Sequence, residues 1–333
     1  MSYFFDLTDN YLCLSALQIA AALLLDRCCG EVKCFHPLVG FGNIAHWLEK
    51  QLNYDGSDAD PENKISAHKH TRLQGCLAWL VLVLPLPILL YLLQGGPIIW
   101  DLANTLVLYF AIAQQSLKQH AMQIYHPLQQ QNLTKARHFT GYMVSRDTAQ
   151  LSSDEMSRAT VESVLENGHD AVIASLFYFV LGGAALVILH RLANTLDAMW
   201  GYKTPRFKHF GWWAARADDH LAWLSAYCSS ALYAMQSGSV SQAIGIIKRA
   251  RQQSRNYKSK NGGLCMATGA AVLGFSLGGR SYYQGKLINS PPLGEGRKVE
   301  LEDIPPSLLL VKTSAWLLCV LVFVLGLLWH SIS

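Results

Sequence analysis

The strongest constraint on this chain is where it carries no positive charge. No Lys or Arg occurs from Leu73 to Leu117, from Ala159 to His190, from Ala217 to Ile247, or after Lys312. Leu, Val, Ile, Ala and aromatic residues fill these blocks, as a hydrocarbon solvent demands of a helix. Only 15% of the 333 residues are charged, against about 25% in an ordinary soluble domain. The expected fold is therefore all-α, a polytopic integral membrane helical bundle forming a single membrane domain over residues 1–333. Apolar segments are expected at about 11–25, 77–93, 98–113, 171–189, 221–235, 264–279 and 314–329. Between them lie loops at about 26–76, 116–170, 190–220, 236–263 and 280–313.

The basic residues sit in blocks between these segments, and the net charge is +4. Bases beside a span usually mark the cytoplasmic side, so the loops that carry polar chemistry are expected to face the cytoplasm. The stretch Lys248–Lys260, with six bases, is the clearest of them. Segments 77–93 and 98–113 flank the turn Gln94-Gly95-Gly96-Pro97, which carries no base, and so predict a helical hairpin with its tip outside. No basic stripe interleaves with aromatics in a soluble unit, so no nucleic-acid partner is expected. The lipid bilayer is the expected partner. Met1–Asn10 is acidic and no small-residue cleavage site follows Leu25, which argues against a cleavable signal. Eight cysteines are scattered along the chain, and Cys28, Cys29, Cys34 and His36 lack the spacing of a structural zinc site.

Four polar constellations stand out. Ser152-x-x-Glu155 is a capping box that predicts a helix from Ser153, and Asn167-Gly168 predicts its end. On that helix Val161, Val164 and Leu165 share one face, while Glu155, Arg158, Glu162 and Glu166 form another stripe. Glu162 and Glu166 are like charges one turn apart, which repel unless a cation covers them. Arg158 alone could do that as a solvated salt bridge; a divalent cation bound to nucleotide phosphates is the functional reading. Asp170 would add a third carboxylate. The second constellation is His190, Asn194 and Asp197, whose spacing sets them on one helical face where an apolar segment emerges into Gly201-Tyr202-Lys203. The third, Arg216-Ala-Asp218-Asp219-His220, puts adjacent acids at the start of an apolar run, where the helix dipole alone would favour them. The fourth, Asn261-Gly262-Gly263 after Lys258 and Lys260, opens a helix near Leu264 and offers an anion site or merely a linker. Segment 171–189 carries Gly182-Gly183 at its middle, so it is either one span or two half-helices. There is no P-loop, no G-x-G-x-x-G after a strand and no G-x-S-x-G.

Taken in order, these residues resemble the CobD/CbiB family of adenosylcobinamide-phosphate synthases. The matching motifs are His36-Pro37-Leu38-Val39-Gly40-Phe41-Gly42 with Trp47-Leu48-Glu49, Ser145-Arg146-Asp147-Thr148, and Arg158-Ala159-Thr160-Val161-Glu162-Ser163 with Glu166-Asn167 and Asp170. They continue through Asn194-Thr195-Leu196-Asp197-Ala198-Met199 with Gly201-Tyr202-Lys203, Ala215-Arg216 with Asp218-Asp219, Asn261-Gly262-Gly263, and Leu277-Gly278-Gly279 with Tyr283 and Gly285. The chain departs from the family pattern at Gly30-Glu31-Val32, where Gly-Asp-Pro is usual, at Ser175 and at Lys260.

The resemblance implies an enzyme of the bacterial cytoplasmic (inner) membrane, with its active site facing the cytoplasm. It implies an ATP- and Mg²⁺-dependent amide ligase that joins adenosylcobyric acid, a corrinoid, to (R)-1-aminopropan-2-yl phosphate or ethanolamine phosphate. Contacts with other late cobalamin-pathway enzymes would fit that setting. Glu162, Glu166 and Asp197 are the candidate catalytic residues, and Glu162, Glu166, Asp170, Asp197, Asp218 and Asp219 the candidate metal ligands. Candidate nucleotide and substrate contacts are His36, Arg146, Arg158, Asn167, Asn194, Lys203, Arg216, Asn261, Gly262 and Gly263. Two other classes compete. A transporter would keep charges inside its spans, whereas here they gather at segment ends and in loops. A non-catalytic membrane scaffold or sensor could share the same fold.

Overall fold

A computed structural model describes residues 11–31, 37–53, 64–93, 99–283 and 285–332, with backbone only at 64–67. Helices dominate, at 79% of the structure. They are α1 (Tyr11–Cys29), α2 (Pro37–Leu52), α3 (Lys64–Val83), α4 (Pro85–Leu92), α5 (Ile99–Ala111), α6 (Gln114–Gln129), α7 (Leu133–Met143), α8 (Ser153–Asn167), α9 (Ala174–Trp200), α10 (Trp212–Ala234), α11 (Val240–Ser254), α12 (Lys260–Leu273) and α13 (Ile304–Ile332). Among the described residues four helical runs are long and apolar enough to cross a membrane: Tyr11–Cys29, His68–Leu92, Ser153–Trp200 and Leu301–Ile332.

The third of these runs is not a straight rod. At 1.5 Å per residue its 48 residues would extend about 72 Å, more than twice the ~30 Å of a hydrocarbon core. In a straight helix, residues 20 apart stand about 30 Å apart, yet His190 Nε2 lies 2.9 Å from the Asp170 carbonyl oxygen. The His190 ring also stacks on Tyr178. The chain turns back at Gly182 and Gly183, the second of which has φ 60° and ψ −152°, a conformation that glycine reaches without strain. Of the two readings open for segment 171–189, the structure has the broken pair of half-helices.

Other expectations are corrected. The capping box at Ser152 and Glu155 starts α8, but Asn167-Gly168 does not end it. Gly168 stays helical, and a π-helical turn over Gly168–Ile173 carries the chain into α9. Bare Gly168 lets Val311 of α13 and the Tyr233 hydroxyl pack in, since a Cβ would stand 2.5 Å from Val311 Cγ2. Segment 264–279 is not one helix. Gly274, at φ 79°, ends α12 in the left-handed conformation, and the chain enters a strand. The fold is thus not purely helical. A three-stranded sheet in the order β2–β1–β3 is built from β1 (Phe275–Tyr283), β2 (Lys286–Gly294) and β3 (Arg297–Lys298). Strands β1 and β2 are antiparallel with a bulge between Leu277 and Gly279, and β3 runs parallel to β1. Helix α10 begins at Trp212, so Asp218 and Asp219 lie in its second turn, beyond the reach of a first-turn dipole argument. The proposed tip at 94–97 lies outside the described residues. Of the hairpin arms flanking it, α4 and the 13-residue α5 both pack against α9.

The main core joins α1, α5, α8, α9, α10, α12, α13 and the sheet. Helices α1 and α13 run antiparallel in close contact, with Cys319 Sγ on the Ala16 carbonyl and Gly326 against Cys13. A second core holds α3, α4, the far limb of α9 and the start of α10 around Trp200 and Phe210.

Candidate functional site

Because α9 folds back, its far end returns to the level of α8 and the π turn. Asp197 and Glu166 stand 31 positions apart in the chain, yet they lie within electrostatic range of each other. Asp170 lies within range of Glu166, Asp197 and Asp218, and Asp197 within range of Asp219. Asn194 Nδ2 donates to Asp218 Oδ1 at 3.3 Å, tying α9 to α10. Asn261 Nδ2 donates to the Asp219 carbonyl oxygen at 2.8 Å, tying α10 to α12. Five carboxylates, from α8, the π turn, α9 and α10, thereby converge at one end of the hairpin. Burial, and then the neighbouring Asp197, pushes the Asp218 carboxyl up to about 7. The exposed Lys258 is the nearby cation that both Glu166 and Asp197 feel.

Glycines make room for these carboxylates. A Cβ on Gly262 would stand 2.6 Å from Glu166 Oε1. A Cβ on Gly201 would overlap the Asp197 carboxylate, which leans over the end of α9. The Asn261-Gly262-Gly263 triplet thus acts mainly as clearance. Helix α12 starts at Lys260, not near Leu264, and the Gly262 N–H already donates to the Ser259 side chain that caps it.

Glu162 differs from the other acids. It is 5% exposed, and both of its oxygens are engaged. Arg146 Nη2 donates to Oε2 at 2.5 Å, and the Gly278 N–H donates to Oε1 at 2.9 Å. Gly278, at φ 87°, forms the bulge of β1, and a side chain there would run into the Pro291 carbonyl of β2. Burial alone would lower the Arg146 pKa, but Glu162 beside it outweighs that and raises it. Arg146 Nη1 also donates to Ser281. Glu162 and Arg146 therefore clamp the sheet to α8. The phenol of Tyr257 is pushed up by burial and then by the nearby Glu162 and Glu166.

The remaining candidates divide. Arg158 donates to the Arg280 carbonyl at 2.7 Å and packs against bare Gly279, on the sheet side. Asn167 is exposed and bonds back to the Ser163 carbonyl. Lys203 is exposed in the loop after α9. Arg216 lies over the Trp212 ring, which Arg72 also covers. His36 lies outside the described residues, as does Cys34. Among the described residues no group of three or more His, Cys, Asp or Glu side chains is arranged to hold a metal ion. Magnesium that shares its shell with substrate phosphates needs only one or two protein carboxylates, and this cluster supplies that much.

Arg191, which is not among the candidates drawn from the sequence, also lies here. Its charge is felt by Asp170 and Asp218. The signal was present: it is the first base after Arg158, three positions before Asn194.

Residues 19–311 match the family model described as CobD/Cbib protein. Among curated proteins, the chain is 42% identical over 311 residues to the cobalamin biosynthesis protein CobD of Stutzerimonas stutzeri, covering 92% of this chain and 96% of the relative. It is 41% identical over 303 residues to the protein of that name from Chromobacterium violaceum, covering 91% and 94%. To that of Halalkalibacterium halodurans it is 32% identical over 314 residues, covering 93% and 96%. No solved structure matches.

Proposed function

Given that the chain belongs to the CobD/CbiB family, we propose that it is a membrane enzyme of cobalamin biosynthesis that forms an amide bond at the expense of ATP. Its substrates are the carboxylate of adenosylcobyric acid and the amine of (R)-1-aminopropan-2-yl phosphate or ethanolamine phosphate; its product is adenosylcobinamide phosphate. The observation that carries this reading is the convergence of Glu166, Asp170, Asp197, Asp218 and Asp219 at one end of a folded-back helix, beside Lys258. Crowded, partly buried carboxylates repel one another unless a cation lies among them.

The reaction needs an activated acyl group. The corrinoid carboxylate attacks the γ-phosphorus of ATP, ADP leaves, and an acyl phosphate results; the amine then attacks the acyl carbon and phosphate leaves. Glu166 and Asp197 are the residues we assign to hold Mg²⁺. When bound, the ion would neutralise charge on the transferring phosphate. The amine must be uncharged to attack. We assign Asp218, half-buried beside Asp197 and held by Asn194, as the proton acceptor. Glu162, held on both oxygens, serves to position Arg146 and the sheet. We assign Lys258, exposed beside Glu166 and Asp197, to the nucleotide phosphates. The site faces the cytoplasm, where ATP is present.

The test is complementation. A bacterium lacking its own synthase, supplied with cobyric acid, should regain cobalamin-dependent growth when it carries this gene. Asp197→Ala and Asp218→Ala variants should insert into the membrane and fail to restore growth. Normal growth with both variants would refute the site, and no rescue by the wild type would refute the activity.

A further inference from the structure

Helices α1 and α5 run parallel and are tied at two levels. Gln18 Nε2 donates to the Asp101 carbonyl oxygen at 3.0 Å, and the Tyr109 hydroxyl donates to the Gly30 carbonyl oxygen at 2.8 Å. Between the ties the short side chains of Ala21 and Thr105 leave a groove of about 520 Å³. Its walls are Ala21, Leu24 and Cys28 of α1 and Leu102, Thr105 and Leu106 of α5, and the three leucines are exposed along its rims. The one hydroxyl among these residues is spent, since Thr105 donates to the Asp101 carbonyl of its own helix. At the Gly30 end the surface turns basic. Arg27 and Lys118 are exposed there, and neither belongs to an ion pair among the described residues. The neighbouring acids are turned inward: Asp26 accepts the Gln115 N–H, and Glu31 accepts from Ser116. Lys118 sits on the turn of α6 whose Gln115 and Gln119 lie against Gly30.

We propose that this groove holds one anionic glycerophospholipid, with an acyl chain lying between α1 and α5 and the phosphate on Arg27 and Lys118. Helix α1 is long and apolar enough to cross a membrane, so its outward face meets acyl chains. From Ala21 to Cys28 the groove runs about 10 Å at 1.5 Å per residue. That fits within one leaflet, which is half of a ~30 Å hydrocarbon core. A base at the end of a span lays its stem along the chain and reaches the headgroup level. There it attracts anionic lipid. A second copy of this protein fits the groove less well. Copies in one membrane share an orientation, so a two-fold contact through this face would set Arg27 against Arg27 and Lys118 against Lys118. The site is separate from the carboxylate cluster and does not depend on the ligase reading.

Native mass spectrometry of the purified full-length protein in detergent provides the test, with phosphatidylglycerol, phosphatidylcholine and glycerol phosphate as probes. The wild type should retain one phosphatidylglycerol per chain, hold phosphatidylcholine more weakly and take up no glycerol phosphate. Arg27→Gln combined with Lys118→Gln should weaken phosphatidylglycerol by about 30-fold and leave phosphatidylcholine unchanged, a split that misfolding would not produce. Ala21→Phe, which fills the groove, should weaken both lipids together. Phosphatidylglycerol should also raise the thermal midpoint of the wild type and not that of the double variant. Equal retention of the two lipids by the wild type, or undiminished phosphatidylglycerol on the double variant, would overturn the proposal. Tight binding of glycerol phosphate would replace it with a soluble-anion site, and a dimer abolished by Ala21→Phe would replace it with a second copy.

Discussion

Gly262 shows how closely single residues set this site. Its missing side chain is the space that Glu166 Oε1 occupies, 2.6 Å from where a Cβ would stand. The far end of a glutamate can swing aside, so Gly262→Ala should fold and insert. Displacing a positioned carboxylate by about 1 Å can cost about 100-fold in rate. The expected result is a fall of that order in kcat/KM with a thermal midpoint close to wild type; unchanged turnover would show that Glu166 has no required position. At this scale the sequence was legible in kind and misleading in detail. Glu166, Asp197, Asp218 and Asp219 were identifiable as acids near segment ends. Glu162 was not recognisable as a clamp, because its partner Gly278 N–H belongs to a bulge 116 positions away.

At the scale of elements, the decisive one is the break in α9. Gly183 has φ 60° and ψ −152°, a region that a side chain enters only at a cost of about 1–3 kcal/mol. Gly183→Ala should lower the thermal midpoint and reduce activity, because the far limb carries Asn194 and Asp197. Gly40→Ala is the control, since a Cβ there would meet nothing within 4 Å. It should leave the midpoint unchanged, and a midpoint in Gly183→Ala as high as in this control would count against the break as a rigid turn. Hydropathy located the apolar run and its paired glycines, but a run of that length fits a crossing and a return equally well. The capping box at Ser152 was readable because its hydrogen bonds are local. The sheet was not, since β1 follows an apolar helix with no charge between them and its pairing with β2 depends on glycines at 274, 278 and 279 in left-handed conformations.

Over the whole molecule, the gathered acids couple stability to pH. The Asp218 carboxyl is raised to about 7 in the folded protein, against roughly 3.9 in an unfolded chain. Between those values the folded state holds the extra proton, so stability falls as pH rises through the window. The thermal midpoint of the purified protein should therefore drop between about pH 5 and about pH 8, and Asp218→Asn should flatten that drop. Mg²⁺ should restore the midpoint at the higher pH and have little effect at the lower, where the carboxyl is protonated. An Mg²⁺ effect equal at both ends would exclude the cluster as the metal site. Family membership was readable from ordered motifs spread along the chain, whereas their meeting point was not, because it exists only once the helix has doubled back.

That doubling back has an electrical consequence. A rod crossing the bilayer would hold Asp170 and Asp197 at opposite ends of the membrane field, where each charge feels about 2.3 kcal/mol per 100 mV. Folded back to one level, the two acids would sit at a single potential in any bilayer the chain crosses, and voltage would do no work on a charge passing from one to the other.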